Sequence, residues 1–598
     1  MLHFSAMMLA ACLAGQAETS QMVEAPLPPA PAWSGSSERL IASPDNPWLT
    51  PAEASNFERT PDYAETRAWF ERLAAASELI DIAPFGVTPQ GREMFYVTAS
   101  IEGGRWNPET PVLFVQAGIH SGEIDGKDAG MMLLRDIAFG DRRALIENAN
   151  LVLVPIFNID GHERASPRNR PNQRGPSNQG WRNTAQNLNL NRDFTKADAP
   201  EMRALLALLR RFNPDLYIDV HVTDGMDYAY DVTYGFQGRD GGWAASPEIA
   251  RWLDRAYRPA LDRALERDGH IPGDLVFAVN DRDPHAGLAV FGFSPRFSQA
   301  YGDITHMASV LIENHSLKPH RQRVLGTYVM LESSLEILQR NGAALRRASA
   351  HDRAARDETL AAGWRMSEAP GVTRRLATMA YEEYESPASG GRELRWTGQS
   401  AGAQDVPQHT PESTVSLRRP VAYWVPATKP DVIERLRAHG IEMETLDAPR
   451  ALSVEMVRLN AAAPAAGVSE GRQRASAGEP IVERREEWFP AGSVRVPTDQ
   501  RLGLLVMTLL EPESEDSFFQ WGFFNEILQR TEYMEGYVIA PMAEAMLAAD
   551  PALRSAFEAR LAADADFAGN PDARLAWFYE RSPYYDARYL LYPVGIER

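Results

Sequence analysis

Short apolar runs alternate with amphipathic segments through the first half of the chain. Runs such as "MFYVTASI", "PVLFVQAG", "ANLVLVPIFN", "DLYIDVHV" and "ASVLIENHS" have the length of buried strands, whereas "KDAGMMLLRDIAF" and "APEMRALLALLRRFN" have the spacing of helices. Continuously apolar strands are typical of a sheet that is covered on both faces. This pattern predicts an α/β fold over residues 47–345, with a mixed, mainly parallel sheet and helices on both faces.

The pattern changes after the closing helix predicted at "VLGTYVMLESSLEILQRN". Residues 346–420 are polar and broken by Gly, Pro and Ser, which predicts a linker region. Residues 421–598 contain a strand-helix-strand unit, "VAYWVPATKPDVIERLRAHGIEMETL", then expected strands in "GSVRVPTDQRLGLLVMTLLEP" and helices across much of 515–563. We therefore predict a C-terminal α+β domain after the linker, with no role assigned to it.

The N-terminus has the composition of an export signal. Residues 1–20, "MLHFSAMMLAACLAGQAETS", are apolar and then small, and they are too short for a stable membrane span. "LAAC" resembles a bacterial lipoprotein signal in which Cys12 carries the lipid; cleavage after "AGQA" and a plain buried segment are the alternatives. Residues 21–46 are rich in Pro and Ala and predict an extended tether. The expected location is the periplasm, the outer membrane through a lipid on Cys12, or the medium.

Composition removes several classes of function. The 598 residues carry a formal net charge of -20, whereas a general nucleic-acid binder needs an excess of Lys and Arg. Cys12 is the single cysteine, which excludes an intramolecular disulfide framework and a cysteine-based metal cluster. The sequence contains neither a GxxxxGK(S/T) phosphate loop nor a GxSxG nucleophile elbow. We expect no nucleic-acid partner, and contact with a membrane only through the lipid anchor.

A His-x-x-Glu pair lies where an apolar strand ends. In "PVLFVQAGIHSGEIDG", His120 and Glu123 follow two small residues, and the nearby glycines allow a tight turn. The same spacing occurs in "QHTPES" and "RAHGIEME", but the first lies in a polar loop and the second follows a predicted helix. Because ligand sites gather at the carboxyl ends of parallel strands, only the pair at 120 and 123 has the context of a site.

A catalytic zinc ion usually has three protein ligands and an open position for water. His221, at the end of the apolar run "DLYIDVHV", is the candidate for the third ligand. Taken alone, His221 is also consistent with a buried histidine whose hydrogen bonds are satisfied. Together with His120 and Glu123 it favours a metal site.

Five segments resemble, in chain order, the motifs of the zinc carboxypeptidase family, the funnelin metallopeptidases: "GIHSGE", "NIDGHE", "GWRNT", "NLNRD" and "LIENHS". The resemblance covers about 47–345, and the part after about 346 resembles the C-terminal extension of some large bacterial carboxypeptidase-like proteins. It implies one zinc ion per chain, with His120, Glu123 and His221 as ligands. It also implies that Glu313 is the catalytic glutamate, which accepts a proton from zinc-bound water and protonates the leaving amine.

The resemblance also implies how the substrate is bound. Arg182 matches the arginine that faces the oxyanion, and Asn191 and Arg192 match the pair that holds the terminal carboxylate. Tyr301 is the candidate for the substrate-capping tyrosine. Asn189 stands where many members carry an aspartate that supports a zinc-bound histidine. The alternative for the two arginines is that they are solvated loop charges.

Further arginines precede the "GWRNT" motif in the sequence. We expect them to form a positive rim that attracts anionic substrate termini. They are Arg164, Arg168, Arg170 and Arg174.

These observations predict an exported zinc-dependent metallocarboxypeptidase that hydrolyses the C-terminal peptide bond of peptides. Its expected partner is a peptide or peptide-like substrate with a free C-terminal carboxylate. One alternative is a zinc amidase that acts on cell-wall peptide stems or N-acyl amino acids. The other is a catalytically inactive binding protein on the same fold.

Overall fold

A computed structural model of the protein describes residues 26–290 and 294–598. The predicted export signal at 1–20, with Cys12, lies outside the described residues, as does the start of the predicted tether. Within the described part of the chain, no helix combines the length and the apolar character that crossing a membrane requires.

Ten labelled strands lie in the first half of the chain. They are β1 (Ile80–Val87), β2 (Glu93–Ala99), β3 (Val112–Ala117), β4 (Asn150–Val154), β5 (Leu216–Thr223), β6 (Val232–Gly235), β7 (Pro272–Asp274), β8 (Phe277–Ala278), β9 (Leu288–Ala289) and β10 (Ala308–His315).

The helices of this half alternate with the strands. They are α1 (Pro51–Ala54), α2 (Tyr63–Ala76), α3 (Asp125–Phe139), α4 (Ile159–Glu163), α5 (Pro200–Phe212), α6 (Pro247–Trp252), α7 (Arg258–Arg267), α8 (Ser298–Ile304) and α9 (His320–Ala354).

Eight of these strands form one mixed sheet in the order β1-β2-β4-β3-β5-β10-β6-β7. The central strands β4, β3, β5 and β10 are parallel to one another, whereas β1 and β2 pair antiparallel with their neighbours. Strand β6 pairs antiparallel with β10 and parallel with β7. Strands β3, β4 and β5 are buried along their whole length, as their continuous apolar sequence predicted. The predicted α/β fold with a mainly parallel sheet is confirmed.

Two hydrophobic clusters cover the two faces of this sheet. On one face, α3 packs on α9, and their apolar side chains join those of α2 and α7 in one cluster. On the other face lies α5, whose buried residues Leu205, Leu209 and Phe212 belong to a cluster that continues into the second half of the chain. The first face is covered by elements of the first half, and the second by α5 together with residues of the second half.

The second half of the chain is rich in strands. They are β11 (Thr359–Met366), β12 (Val372–Ser386), β13 (Gly391–His409), β14 (Pro411–Arg418), β15 (Ala422–Val425), β16 (Glu444–Thr445), β17 (Arg450–Asn460), β18 (Ala463–Ser469), β19 (Arg472–Ser476), β20 (Glu479–Phe489), β21 (Val494–Pro497) and β22 (Leu591–Glu597).

The helices of this half are α10 (Pro430–His439), α11 (Gly503–Leu510), α12 (Gly536–Ala549), α13 (Pro551–Ala563), α14 (Ala565–Gly569) and α15 (Pro571–Tyr579). A six-stranded sheet, β16-β21-β15-β22-β17-β20, forms the centre of this part. The predicted strand-helix-strand unit corresponds to β15, α10 and β16.

The segment 346–420 differs from the predicted linker region. It contains β11–β14, and β12 and β13 form a long antiparallel hairpin that also joins β9 of the first half. Most positions of this hairpin are exposed or half-buried on both faces. Because neither face is a buried apolar surface, the sequence lacks the alternation of apolar and polar residues that marks a strand.

The run "GLLVMTLL" is a helix, α11, and not the strand that we predicted. All eight of its residues are buried. A short apolar run that is buried on every side shows no periodicity, so its sequence does not separate a helix from a strand.

Candidate active site

The loop that carries His120 and Glu123 connects β3 to α3 at the carboxyl end of the sheet. Gly118 begins this loop with a φ of +67°, in the left-handed region that favours glycine. Gly122 leaves room for Arg170, because a Cβ atom at position 122 would lie 2.6 Å from Cγ of that arginine. The two glycines therefore allow the turn and the close approach that the loop needs.

His221 and Glu313 lie on the two neighbouring strands. His221 is near the end of β5, which is parallel to β3, and it stands directly beside Glu313 in the register of β5 and β10. The parallel pairing thus brings the carboxyl ends of three strands to the same edge, where sequence analysis predicted a site.

The structure brings His120, Glu123 and His221 together. Their ligand atoms all lie within 4.8 Å of one another, and the three residues are 1–3% exposed. His120 Nδ1 is 3.1 Å from Glu123 Oε1, and His221 Nδ1 is 3.0 Å from Glu123 Oε2. Among the residues that the structure describes, buried His120 Nδ1 finds no hydrogen-bond partner. Two imidazole nitrogens and a carboxylate that face one point are a donor set that fits zinc.

The outer ring nitrogens of both histidines contact polar side chains. His120 Nε2 is 3.0 Å from Asn189 Oδ1, and His221 Nε2 is 2.8 Å from Asp219 Oδ2. Gln116 in turn donates to Asp219 Oδ1 over 3.0 Å. Sequence analysis missed Asp219, although its position two residues before His221 on the same strand places both side chains on one face.

The surroundings determine the charge of each group. Burial lowers the pKa of His120 to about 4. Burial raises the pKa of Glu123, but His120 and Arg170 outweigh it and hold that pKa well below its usual range. Burial lowers the pKa of His221, yet Asp219 and Glu313 raise it well above its usual value. Neutral His120 and ionised Glu123 are the forms that bind a metal cation.

Glu313 has a buried carboxylate oxygen. Its Oε2 atom makes no hydrogen bond within the described part of the chain. Burial raises the pKa of Glu313 to about 8, against the opposing effect of His221. A carboxyl group with a raised pKa beside a metal-binding group has the properties of a proton carrier.

Two arginines contact Glu123. Arg170 Nη2 is 2.8 Å from Glu123 Oε1, and its side chain is only 10% exposed. Arg182 Nη1 is 3.5 Å from the same oxygen, and its side chain is 43% exposed. Arg182 thus lies beside Glu123 with a half-exposed side chain, whereas Arg170 is largely buried.

Asn191 and Arg192 lie in a short 3-10 helix, Leu190–Arg192, whose N-cap residue is Asn189. Asn191 Nδ2 is 3.5 Å from His221 Nε2. The Arg192 guanidinium lies 4.3 Å from the centre of the Phe297 ring and donates to the Asn191 carbonyl over 2.8 Å. The structure therefore brings this predicted carboxylate-binding pair next to the metal-binding group.

Tyr301 lies in a different place from the one predicted. It is buried on α8, and its hydroxyl is 2.9 Å from Nδ1 of His439, at the end of α10. His439 is further held by the Thr195 carbonyl, 2.9 Å from its Nε2. The expectation that Tyr301 caps the substrate is contradicted, because its hydroxyl is engaged inside the contact between the two halves of the chain.

The predicted positive rim is only partly present. Arg164 lies over the Trp181 ring, and Arg168 is exposed. Arg170 instead pairs with Glu123, and Arg174 donates to the carbonyls of Leu317 and Pro28. These last two arginines have internal partners, so they are not part of a solvated rim.

Residues 66–274 match the family model of the zinc carboxypeptidases. This match includes the whole of the His120, Glu123 and His221 group. The chain therefore contains a zinc carboxypeptidase domain. This domain makes it a metallocarboxypeptidase, a hydrolase of a kind that uses zinc.

Curated relatives of this zinc carboxypeptidase include carboxypeptidase 2 of Trichophyton tonsurans, which is 22% identical over 434 residues, covering 69% of this chain and 73% of the relative. Carboxypeptidase Z of Gallus gallus is 33% identical over 143 residues, which cover 22% of this chain and 21% of the relative. Among solved structures, carboxypeptidase A of Helicoverpa armigera is 18% identical with a TM-score of 0.35, covering 49% of this chain and 75% of that one.

Proposed function

We propose that this zinc carboxypeptidase is exported and removes the C-terminal residue from peptides. The observation that carries the proposal is the convergence of His120, Glu123 and His221 within 4.8 Å, with Glu313 on the adjoining strand. Arg182, which is half-exposed and 3.5 Å from Glu123 Oε1, adds a cation beside this group.

His120, Glu123 and His221 are the proposed ligands of one zinc ion. His120 and His221 would each use Nδ1, because Asn189 and Asp219 engage the Nε2 atoms. When bound, zinc supplies a Lewis acid that polarises the substrate carbonyl and lowers the pKa of water. Arg170, paired with Glu123 over 2.8 Å, orients this carboxylate.

Glu313 is the proposed proton carrier. Its ionised carboxylate accepts a proton from the attacking water, and burial, which raises its pKa, makes it hold that proton. The protonated carboxyl group then donates to the nitrogen of the leaving amine. The same side chain acts in turn as base and acid, which returns it to its initial ionised form.

Asn191, Arg192 and Arg182 are the proposed substrate-binding residues. The planar guanidinium of Arg192 can bind the terminal carboxylate in a bidentate manner, and Phe297 beneath it fixes its plane. Asn191 binds the same carboxylate with its amide. Arg182 stabilises the negative charge that develops on the carbonyl oxygen.

Export is proposed from the N-terminal sequence. The apolar stretch followed by "LAAC" supports translocation, and Cys12 is the proposed site of a lipid anchor. The protein would then act on peptides in the periplasm, at the outer membrane or in the medium. Mass spectrometry of the mature N-terminus distinguishes a lipid on Cys12 from cleavage after "AGQA".

Replacing Glu313 tests the proposed chemistry. The Glu313→Gln variant is expected to keep its zinc but lose roughly a thousandfold in kcat/KM on N-blocked dipeptides, because an amide cannot accept the proton. Glu147→Gln is the matched control, since Glu147 is exposed and lies in a loop after β3 and α3.

Near-normal turnover of Glu313→Gln would contradict its assignment as the base. C-terminally amidated dipeptides are the second control, and they should resist cleavage because Arg192 has no carboxylate to bind. Cleavage of cell-wall stem peptides or N-acyl amino acids, with no cleavage of dipeptides, would replace the proposal with an amidase.

A further inference from the structure

A buried carboxylate of the second half holds the segment that leads into α8. Asp516, in the loop after α11, lies 2.8 Å from Arg296 Nε through its Oδ1 atom, and its side chain is 1% exposed. Its Oδ2 atom accepts hydrogen bonds from Ser294 Oγ over 2.6 Å and from the backbone N–H of Arg296 over 3.1 Å. Asp516 therefore fixes both the backbone and the side chains of this segment.

Asp516 is itself fixed within the second half. Trp521, which is 1% exposed, donates from its Nε1 atom to Asp516 Oδ1 over 3.2 Å, and it belongs to the hydrophobic cluster on the second face of the sheet. Arg296 also lies over the Trp521 ring, 5.2 Å from its centre, and donates to the carbonyl of Glu515 over 3.4 Å. A buried carboxylate surrounded by such donors has one preferred orientation.

The next two residues of this segment contact the proposed carboxylate-binding pair. The Phe297 ring lies against the guanidinium of Arg192, with 4.3 Å between the ring centre and Cζ. The backbone N–H of Ser298, the first residue of α8, donates to Oδ1 of Asn191 over 3.3 Å. The ring limits the plane of the guanidinium, and the hydrogen bond limits the orientation of the amide. Because both residues directly follow Arg296 in the chain, their positions depend on the contacts that Asp516 makes.

We propose that Asp516 and Arg296 are positioning residues through which the second half of the chain sets the geometry of the carboxylate-binding pair. The inference rests on the proposed function, in which this pair binds the terminal carboxylate of the substrate. A bidentate bond to a carboxylate requires a guanidinium that is held within narrow limits. With Phe297 fixed, Arg192 is ordered before the substrate binds, so less binding free energy is lost on ordering it. The second half thereby contributes to substrate affinity.

The test measures KM and kcat for an N-blocked dipeptide with a free C-terminal carboxylate. Asp516→Asn removes the charge and replaces one oxygen by an amide donor that faces other donors. We expect KM to rise about five- to tenfold while kcat changes less than about twofold, because the substrate is held less well in the ground state and the transition state alike. The Kd of the same dipeptide, measured by calorimetry in a Glu313→Gln background, should rise in parallel without any turnover.

Arg296→Met tests the same link from the other side. This variant leaves Asp516 hydrogen-bonded to Ser294, to Trp521 and to the backbone N–H at position 296, so it keeps its fold even if Asp516→Asn does not. Its KM should also rise. In a Phe297→Ala background, Arg296→Met should raise KM less than it does alone, because the ring through which it acts is absent.

Asp268→Asn is the matched control. Asp268 is a carboxylate of 2% exposure that pairs with Arg39, but it directly follows α7, on the opposite face of the sheet. The variant should lower the thermal stability and leave KM unchanged.

An unchanged KM in both Asp516→Asn and Arg296→Met, with the dipeptide still cleaved by the wild-type protein, would overturn this inference and leave the proposed function standing. An equal rise of KM in Asp268→Asn would do the same, because it would show a general loosening of the fold. Failure of the wild-type protein to cleave any dipeptide would overturn both.

Discussion

At the scale of single residues, the two histidines of the metal-binding group differ in their supporting partners. His221 is held by the carboxylate of Asp219 over 2.8 Å, and His120 by the neutral amide of Asn189 over 3.0 Å. A carboxylate raises the basicity of a ligating imidazole more than an amide does, because it carries a full charge. Asn189 also accepts from the backbone N–H of Asn191 over 3.1 Å, so it links His120 to the substrate-binding loop.

Asn189→Asp is expected to tighten zinc binding about tenfold, because the new carboxylate keeps both hydrogen bonds and adds charge beside His120. The measurement is the Kd of zinc in competition with a chromogenic chelator. Asn187→Asp is the control, since Asn187 lies in the same loop but contacts Asn183. An unchanged Kd for Asn189→Asp would show that Asn189 does not tune the site.

At the scale of elements, strand ends were predictable and contacts between distant elements were not. The continuously apolar strands β3, β5 and β10 identified the edge at which His120, His221 and Glu313 meet, because parallel strands place their carboxyl ends together. Tyr301 was misassigned because its hydroxyl partner, His439, is 138 residues away on α10. Local sequence carries no signal for such a pairing.

The ion pair of Arg170 with Glu123 escaped prediction for the same reason. Many arginines occur in the stretch "RASPRNRPNQRGPSNQGWRNT". The sequence does not show which of their side chains is buried. The glycine at position 122 was a usable signal, because a missing Cβ often marks the close approach of another group. By contrast, the polar hairpin of β12 and β13 lacks a buried face, so its sequence shows no alternation of apolar and polar residues.

Tyr301→Phe is expected to lower the free energy of unfolding by about 1–2 kcal/mol, because it leaves Nδ1 of the buried His439 without its partner. The KM for dipeptides should stay within about twofold of the wild-type value. Thermal denaturation and steady-state kinetics check the two parts. Tyr537→Phe, at an 80% exposed position, is the control and should change neither. A several-fold rise in KM with unchanged thermal stability would restore Tyr301 as a capping residue.

At the scale of the whole molecule, the two halves share one hydrophobic cluster. It contains Leu209 and Tyr217 from the first half together with Leu436, Leu505 and Trp521 from the second. Helix α10 packs on α5, so the second half covers a face of the main sheet. The family match at 66–274 concerns the first half only, and the shared core explains why the two parts form one structural unit.

A chain that ends after residue 355 is expected to be insoluble or to melt well below the full-length protein. Each fully buried Leu or Phe side chain that loses its cover costs about 1.5–3 kcal/mol. Soluble expression and calorimetric Tm measure the effect. A truncated protein with the thermal stability of the intact chain would contradict the inference that the shared cluster is needed.

The central claim is that His120, Glu123 and His221 hold a catalytic zinc ion. The most direct measurement is the metal content of the full chain by plasma mass spectrometry, with His221→Ala in parallel. The account predicts about one zinc ion per wild-type chain, and a loss of most of it in His221→Ala because two ligands bind zinc weakly. Equal zinc content in the two proteins, or no zinc in wild type after reconstitution, would contradict it.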